Sequence, residues 1–215
     1  MTYLEAINSV LRRLREDEVS TALESSYSAL IGDFVNDAKR TVENSWNWAA
    51  LRETTVIPTV SGTAEYSITG SGQEAVIKSV VNDTSNRFMG LQTSSYFNNV
   101  YYNQDVTSGS PVAYIVSGVD SNDDLKVKVY PQPDGIYSLR FDLAKPQGLV
   151  TGDATKIKVP YNPVVQMAFA MALRERGETG GQSAAEQFAV AATALSDAIA
   201  IDANRFPDET TFMVV

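Results

Sequence analysis

Apolar positions near the start of the chain repeat at helical spacing. Leu4, Ile7, Val10, Leu11 and Leu14 share one face and predict a helix over Tyr3–Arg15. An acidic break, Glu16-Asp17-Glu18, follows, and Thr21-Ala-Leu-Glu24 reads as a capping box. Tyr27, Leu30, Ile31, Phe34, Val35, Ala38, Val42 and Trp46 then keep the helical period without a proline. That predicts a second helix of about 25 residues, roughly 38 Å long. Near the other end, Asn162-Pro163 places a capping residue before a proline at the first helical position and predicts a helix over Val164–Arg176, closed by Gly177. Gly180-Gly181 is a turn, and Ser183-Ala-Ala-Glu186 is a second capping box. The last helix, Ala184–Ala203, carries Phe188, Ala191, Ala192, Leu195, Ala198 and Ile199 on one stripe.

Between these flanks the period changes from helical to alternating. Thr54–Val60, Ala75–Val81, Val112–Ser117, Leu125–Tyr130 and Tyr137–Leu143 are β-branched or aromatic runs bounded by turn residues. In Leu125-Lys-Val-Lys-Val-Tyr130 apolar and charged residues alternate, the pattern of a half-exposed antiparallel strand. Lys156–Val159 reads as one more short strand. Residues 50–159 hold nine of thirteen Gly, seven of ten Tyr and five of eight Pro, which sets them apart from the Ala- and Leu-rich flanks. The fold class expected is α+β. A helical domain of about four helices, built from 1–49 and 160–215, is interrupted by an antiparallel β insert over 50–159.

Composition narrows the chemistry. Among the 215 residues there is no histidine and no cysteine. Thiolate nucleophiles, Cys/His zinc sites, His- or Cys-ligated haem and every Ser-His-Asp relay are therefore excluded. The net charge of −9 repels phosphate backbones, so specific nucleic-acid binding is not expected. The most apolar run, Val164–Leu173, is far short of a membrane span, so no membrane partner is expected. The N-terminus has no secretory signal pattern, and the lack of cysteine fits synthesis in a reducing cytoplasm.

Each candidate site has a plainer structural reading. Asp120-Ser-Asn122-Asp-Asp124 resembles a calcium loop, but Leu125 and Pro131 stand where that loop needs Gly and Glu, so a hairpin turn is expected. Gly70-Ser-Gly72 lacks the GK[ST] ending of a phosphate loop and is read as a strand connection. No carboxylate pair has a distinctive context, so no catalytic residue, metal or cofactor is assigned. Arg12, Arg13 and Arg15 form the only basic run, with Arg12 and Arg15 on one helix face: a solvated surface, or a contact with the acidic surface of a neighbour. Trp46 and Trp48 stand at the junction between helix and insert, as anchors or as an intersubunit contact. Tyr96, Phe97, Tyr101 and Tyr102 offer an aromatic contact surface. After Phe206-Pro207, the apolar residues Phe212, Met213, Val214 and Val215 either fold back onto the chain's own helices or dock on a neighbour.

The layout resembles the podovirus head-to-tail adaptor, or tail tubular protein A, family. The resemblance rests on a long helix ending in Ser45-Trp46-Asn47-Trp48, an inserted β region, the strand end Val129-Tyr130-Pro131, and Pro160-Tyr-Asn-Pro163 leading into a helix with Ala172-Leu173-Arg-Glu175. It implies a non-enzymatic virion protein in the phage neck, made in the host cytoplasm. It also implies a ring, typically of twelve copies, between the portal and the tail nozzle, with genome DNA passing through the lumen. Two alternatives remain at this point: a head-completion or stopper protein of another tailed phage, and a carboxylate-dependent hydrolase.

Overall fold

A computed structural model describes residues 1–103, 105–177 and 182–205. The fold is α+β, with five α-helices and two four-stranded sheets among the described residues. They divide into two compact units: Met1–Leu51 with the described part of Pro146–Val215, and Arg52–Lys145.

The helical unit begins with α1, Tyr3–Arg13. Thr2 caps it: the Thr2 hydroxyl accepts from Glu5 N–H, and the Glu5 carboxylate accepts from Thr2 N–H at 2.8 Å. Helix α2 spans Ser26–Ser45 and is capped by Ser25, whose side chain accepts from Ser28 N–H. It is thus 20 residues long, about 30 Å, and shorter than expected. Thr21 does not start it, because Ala22 N–H is bonded to the Asp153 carboxylate at 3.0 Å and Glu24 turns back to Ser20 N–H and Oγ. Helix α4, Tyr161–Glu175, starts earlier than Asn162-Pro163 suggests, with Pro160 at the cap position. Pro163 stands in the first turn, where backbone N–H groups have no intrahelical partner to lose. Helix α5 is Gln182–Arg205, so Ser183 lies inside the helix rather than at its cap.

The core of this unit joins Ile7, Val10 and Leu11 of α1, Ile31, Val35, Ala38 and Val42 of α2, and Val164, Val165, Ala168 and Ala172 of α4. Leu195, Ala198 and Ile199 of α5 pack against it. Residues 146–159, grouped with the β-rich segment by composition, instead belong here. The Asn36 amide holds the backbone of Val150 through both Nδ2–H to O and N–H to Oδ1, each at 3.0 Å. Lys39 Nζ, buried, donates to the carbonyls of Gln147 and Gly148 and lies 3.1 Å from the buried Glu43 carboxylate. Lys156 makes a single bridge to Thr2, not the full strand expected over 156–159.

The second unit holds strands β1 (Arg52–Pro58), β2 (Glu65–Ser67), β3 (Val76–Asn82), β4 (Arg87–Phe88), β5 (Gly90–Leu91), β6 (Ala113–Val119), β7 (Leu125–Tyr130) and β8 (Ser138–Ala144). One sheet has the order β1-β8-β3-β4 and is antiparallel throughout. The other has the order β2-β7-β6-β5, and in it β5 runs parallel to β6, which departs from a purely antiparallel insert. Between β5 and β6 the chain forms α3, Ser94–Asn98, and a π-helical turn, Asn99–Asn103. A parallel pair needs such a crossover, because a tight hairpin returns the chain antiparallel. Leu125, Val127 and Val129 of one sheet and Leu139, Phe141 and Leu143 of the other point into a shared core. The alternation read in β7 is therefore the alternation between core and surface.

Candidate functional site

The two tryptophans do different jobs at the end of α2. Trp48 is buried in the helical core and donates Nε1–H to Val42 O at 2.7 Å. Trp46, half-buried, donates Nε1–H to Asp202 Oδ2 on α5. Both rings act within the helical unit. Asp202 escapes a reading of the sequence by chemistry, yet there is a signal for it. A carboxylate four residues after Ala198 on an apolar helical stripe needs a buried donor.

The basic run is not one surface. Helix α1 ends at Arg13, and Arg15 takes a left-handed conformation with φ 61°, so Arg12 and Arg15 do not share a helical face. Arg12 pairs with Glu18 of the same chain at 2.8 Å, both side chains being exposed. Arg13 Nη1 donates to Ser9 Oγ, and burial, reinforced by Arg12, lowers its pKa. Arg176, not singled out in the sequence, donates to Tyr27 Oη and pairs with Glu16 at 2.5 Å.

The aromatic segment is a cluster rather than a free patch. Phe97 is buried, stacked on Tyr101 at a centroid distance of 5.9 Å, and Tyr96 meets both Phe97 and Tyr130 edge-on. Tyr101 donates its hydroxyl to Val129 O, and burial pushes its phenol up to about 12. Lys128 Nζ stands 4.1 Å from the Tyr101 ring centroid and 5.3 Å from that of Tyr102. Tyr102 itself is 76% exposed. Of the four residues, Tyr102 alone presents most of its surface.

The metal-like string is a hairpin turn between β6 and β7. Asp120 Oδ1 accepts from the N–H groups of Asn122 and Asp124, and Asp120 N–H donates to Asp124 O. The Asp124 carboxylate turns away from Asp120 and accepts from Gly70 N–H at 2.8 Å and Gly72 N–H at 2.9 Å. Those glycines have φ of +76° and +70°, a conformation that lets alternate N–H groups converge on one anion. The glycine loop does hold an anion, but the anion is the chain's own carboxylate.

Helix α5 is set apart by its length and its alanine content. By length and composition it is apolar enough to cross a membrane. Its hydropathy comes largely from nine alanines spread along the helix rather than from one aliphatic run. Ala184, Ala191 and Asp202 are its buried residues among those described, and most of the helix is exposed or half-exposed. Phe206, Phe212, Met213, Val214 and Val215 lie outside the described residues.

A family model for the SU10 adaptor protein matches residues 1–211. No curated protein matches the chain. The chain belongs to the SU10 adaptor protein family, a structural phage adaptor family and not an enzyme class. It is thereby a virion component that works with other phage head and tail proteins, and the hydrolase alternative loses its footing.

Proposed function

We propose that this adaptor subunit builds a closed ring, typically of twelve copies, in the neck of a short-tailed phage. The ring lies between the portal and the tail nozzle. The observation that carries this reading is α5: a 24-residue, alanine-rich helix that the single subunit leaves largely uncovered. Large exposed apolar surface marks an interaction site. A heterologous contact repeated around a closed ring covers that surface in every copy and leaves no open end. Arg12, Arg15 and Tyr102 add exposed charged and aromatic contact points for a neighbour or a partner ring.

Genome DNA passes through the lumen. A charge of −9 per subunit repels the duplex rather than holding it, which suits a conduit. The subunit is made in the host cytoplasm and joins the particle during assembly.

The test is the mass of the purified protein alone and with the portal of the same phage. Twelve copies of 23.4 kDa give a ring of about 280 kDa in addition to the portal. A subunit that stays monomeric in the presence of every head and tail component overturns the ring. Tight duplex binding in a gel shift at low salt, where screening is weakest, overturns the repelling conduit.

A further inference from the structure

Helix α1 closes in a Schellman motif: Arg15 N–H donates to Arg12 O at 3.1 Å, and Glu16 N–H donates to Leu11 O at 3.0 Å. The motif holds Arg15 in the left-handed region at φ 61°, where glycine is the usual occupant and a side chain costs energy. Among the described residues two other non-glycine residues, Asn86 and Asp123, take a positive φ, and both are of types that tolerate it. Arginine is not such a type. The helix dipole does not call for it either, since Arg12 and Arg13 already stand in the last turn of α1. A local rule broken without a local gain points to the guanidinium itself. Arg15 is exposed, and among the described residues its side chain has no hydrogen-bond or ion-pair partner. Of the carboxylates that follow it, Glu16 is held by Arg176 and Glu18 by Arg12.

We propose that Arg15 finds its carboxylate on the next copy of the chain, at Glu186 of α5. The pairing rests on the ring reading and names two residues that meet across it. Helix α1 packs on α2 and α4, whereas α5 packs on α4. The two helices thus present different faces, as a heterologous contact requires.

They also match in height. Arg176, just past the end of α4, donates to Leu14 O, and Arg174 stands over the Phe188 ring. The corner after α1 and the first turns of α5 therefore lie at one end of the helical unit. Neighbours in a ring of twelve are turned by only about 30° from each other, which keeps like ends level. Glu186 is exposed in those first turns and has no partner among the described residues. The exposed alanines Ala185 and Ala189 beside it let a neighbour approach closely. Asp197, the other exposed carboxylate of α5, stands about three turns further along. The planar fork of arginine suits a carboxylate at such a contact.

The full-length subunit is tested for stability alone, and for ring mass alone and with the portal. Arg15→Gly and Arg15→Asn are expected to raise the urea midpoint of the subunit, because both residues accept the left-handed conformation. Both are also expected to raise the concentration needed for half-assembly about tenfold, because the guanidinium is gone. Arg15→Glu keeps the strained backbone and is expected to block assembly by setting like charges against each other. Adding Glu186→Arg to it restores the ring, and adding Asp197→Arg does not. Assembly of Arg15→Gly equal to wild type, no rescue by Glu186→Arg, or equal rescue by Asp197→Arg overturns the pairing and leaves the ring standing. A urea midpoint that rises in neither Arg15→Gly nor Arg15→Asn overturns the strain on which the pairing rests. A wild type that stays monomeric in both conditions overturns ring and pairing together.

Discussion

Trp46 Nε1–H donates to Asp202 Oδ2 at 3.1 Å, across 156 residues of sequence. The same oxygen accepts from Ala49 N–H at 3.1 Å. One carboxylate on α5 therefore fixes both the end of α2 and the short 3-10 turn after it. Asp202→Ala leaves two donors without an acceptor and is expected to cost about 2–3 kcal/mol, with Asp202→Asn costing less. Trp46→Phe gives up one hydrogen bond, about 1 kcal/mol. Denaturant unfolding of the three variants reads this order, and equal midpoints for Asp202→Ala and wild type refute it.

Trp48→Ala removes the largest side chain of the helical core and is expected to cost about 3–5 kcal/mol through the cavity left behind. Calorimetry of the purified variant checks it. A melting temperature unchanged from wild type contradicts the burial of this ring.

The buried pair Lys39–Glu43 predicts strong non-additivity. Lys39→Met alone removes the ammonium 3.1 Å from the buried Glu43 carboxylate, at a cost of about 3–5 kcal/mol. Lys39→Met with Glu43→Leu recovers part of that loss, because no charge then remains to desolvate. The recovery is incomplete, since Gln147 N–H and the carbonyls of Gln147 and Gly148 lose their partners. A double-mutant cycle whose single losses simply add excludes the coupling.

Asp124→Ala strands the N–H groups of Gly70 and Gly72 and is expected to destabilise the sheet-bearing unit by about 1–3 kcal/mol. Asp124→Asn keeps an acceptor but gives up the charge, so it should fall between Ala and wild type. Amide exchange at Gly70 and Gly72 localises the effect. Unchanged protection in Asp124→Ala argues against the carboxylate as their partner.

Acid stability should carry the signature of Asp142. The Ser79 hydroxyl first, then Thr54 and the nearby Arg140, hold its carboxyl below the usual aspartate range. With the folded value below the unfolded one, the stabilisation is present above about pH 4 and is lost as pH falls through the folded value. Asp142→Asn should therefore flatten the acid limb of the urea midpoint plotted against pH. A limb as steep as that of wild type excludes Asp142 as a contributor.

The elements that could be read in advance are those whose burial is periodic. The alternation in Leu125–Tyr130 and the apolar stripe of α1 each reflect one buried side of a regular element. Arg87–Phe88 and Gly90–Leu91 could not be read, because two-residue strands are too short to show a period and their pairing is set by distant partners. The start of α2 shows the same limit. Thr21 and Glu24 fit a local capping rule, but Asp153, far along the chain, takes the N–H of Ala22 and moves the start to Ser26. The aromatic run drew attention for its side chains, while Lys128, which organises two of the rings, sits on β7 and is near them only in space. The stripe of α5 was legible because Leu195, Ala198 and Ile199 pack on the core, but how much of the helix the subunit leaves uncovered was not, since alanines stand on every side of it.

Arg52 and Ala144 are paired across β1 and β8, so the sheet-bearing segment begins and ends at the same point in space. To the helices, an interruption of roughly ninety residues is a loop whose mouth is about one strand spacing, near 5 Å, wide. Once that segment has folded, bringing α2 and α4 together closes a gap of only a few residues, which lowers the closure entropy by about 2–3 kcal/mol relative to an open loop of that length. The same geometry makes the interior exchangeable: another folded module with adjacent ends can take its place without displacing the helices on either side. In a lineage that must fit changing partners, such a seam lets one half of the protein be rewritten while the other stays fixed.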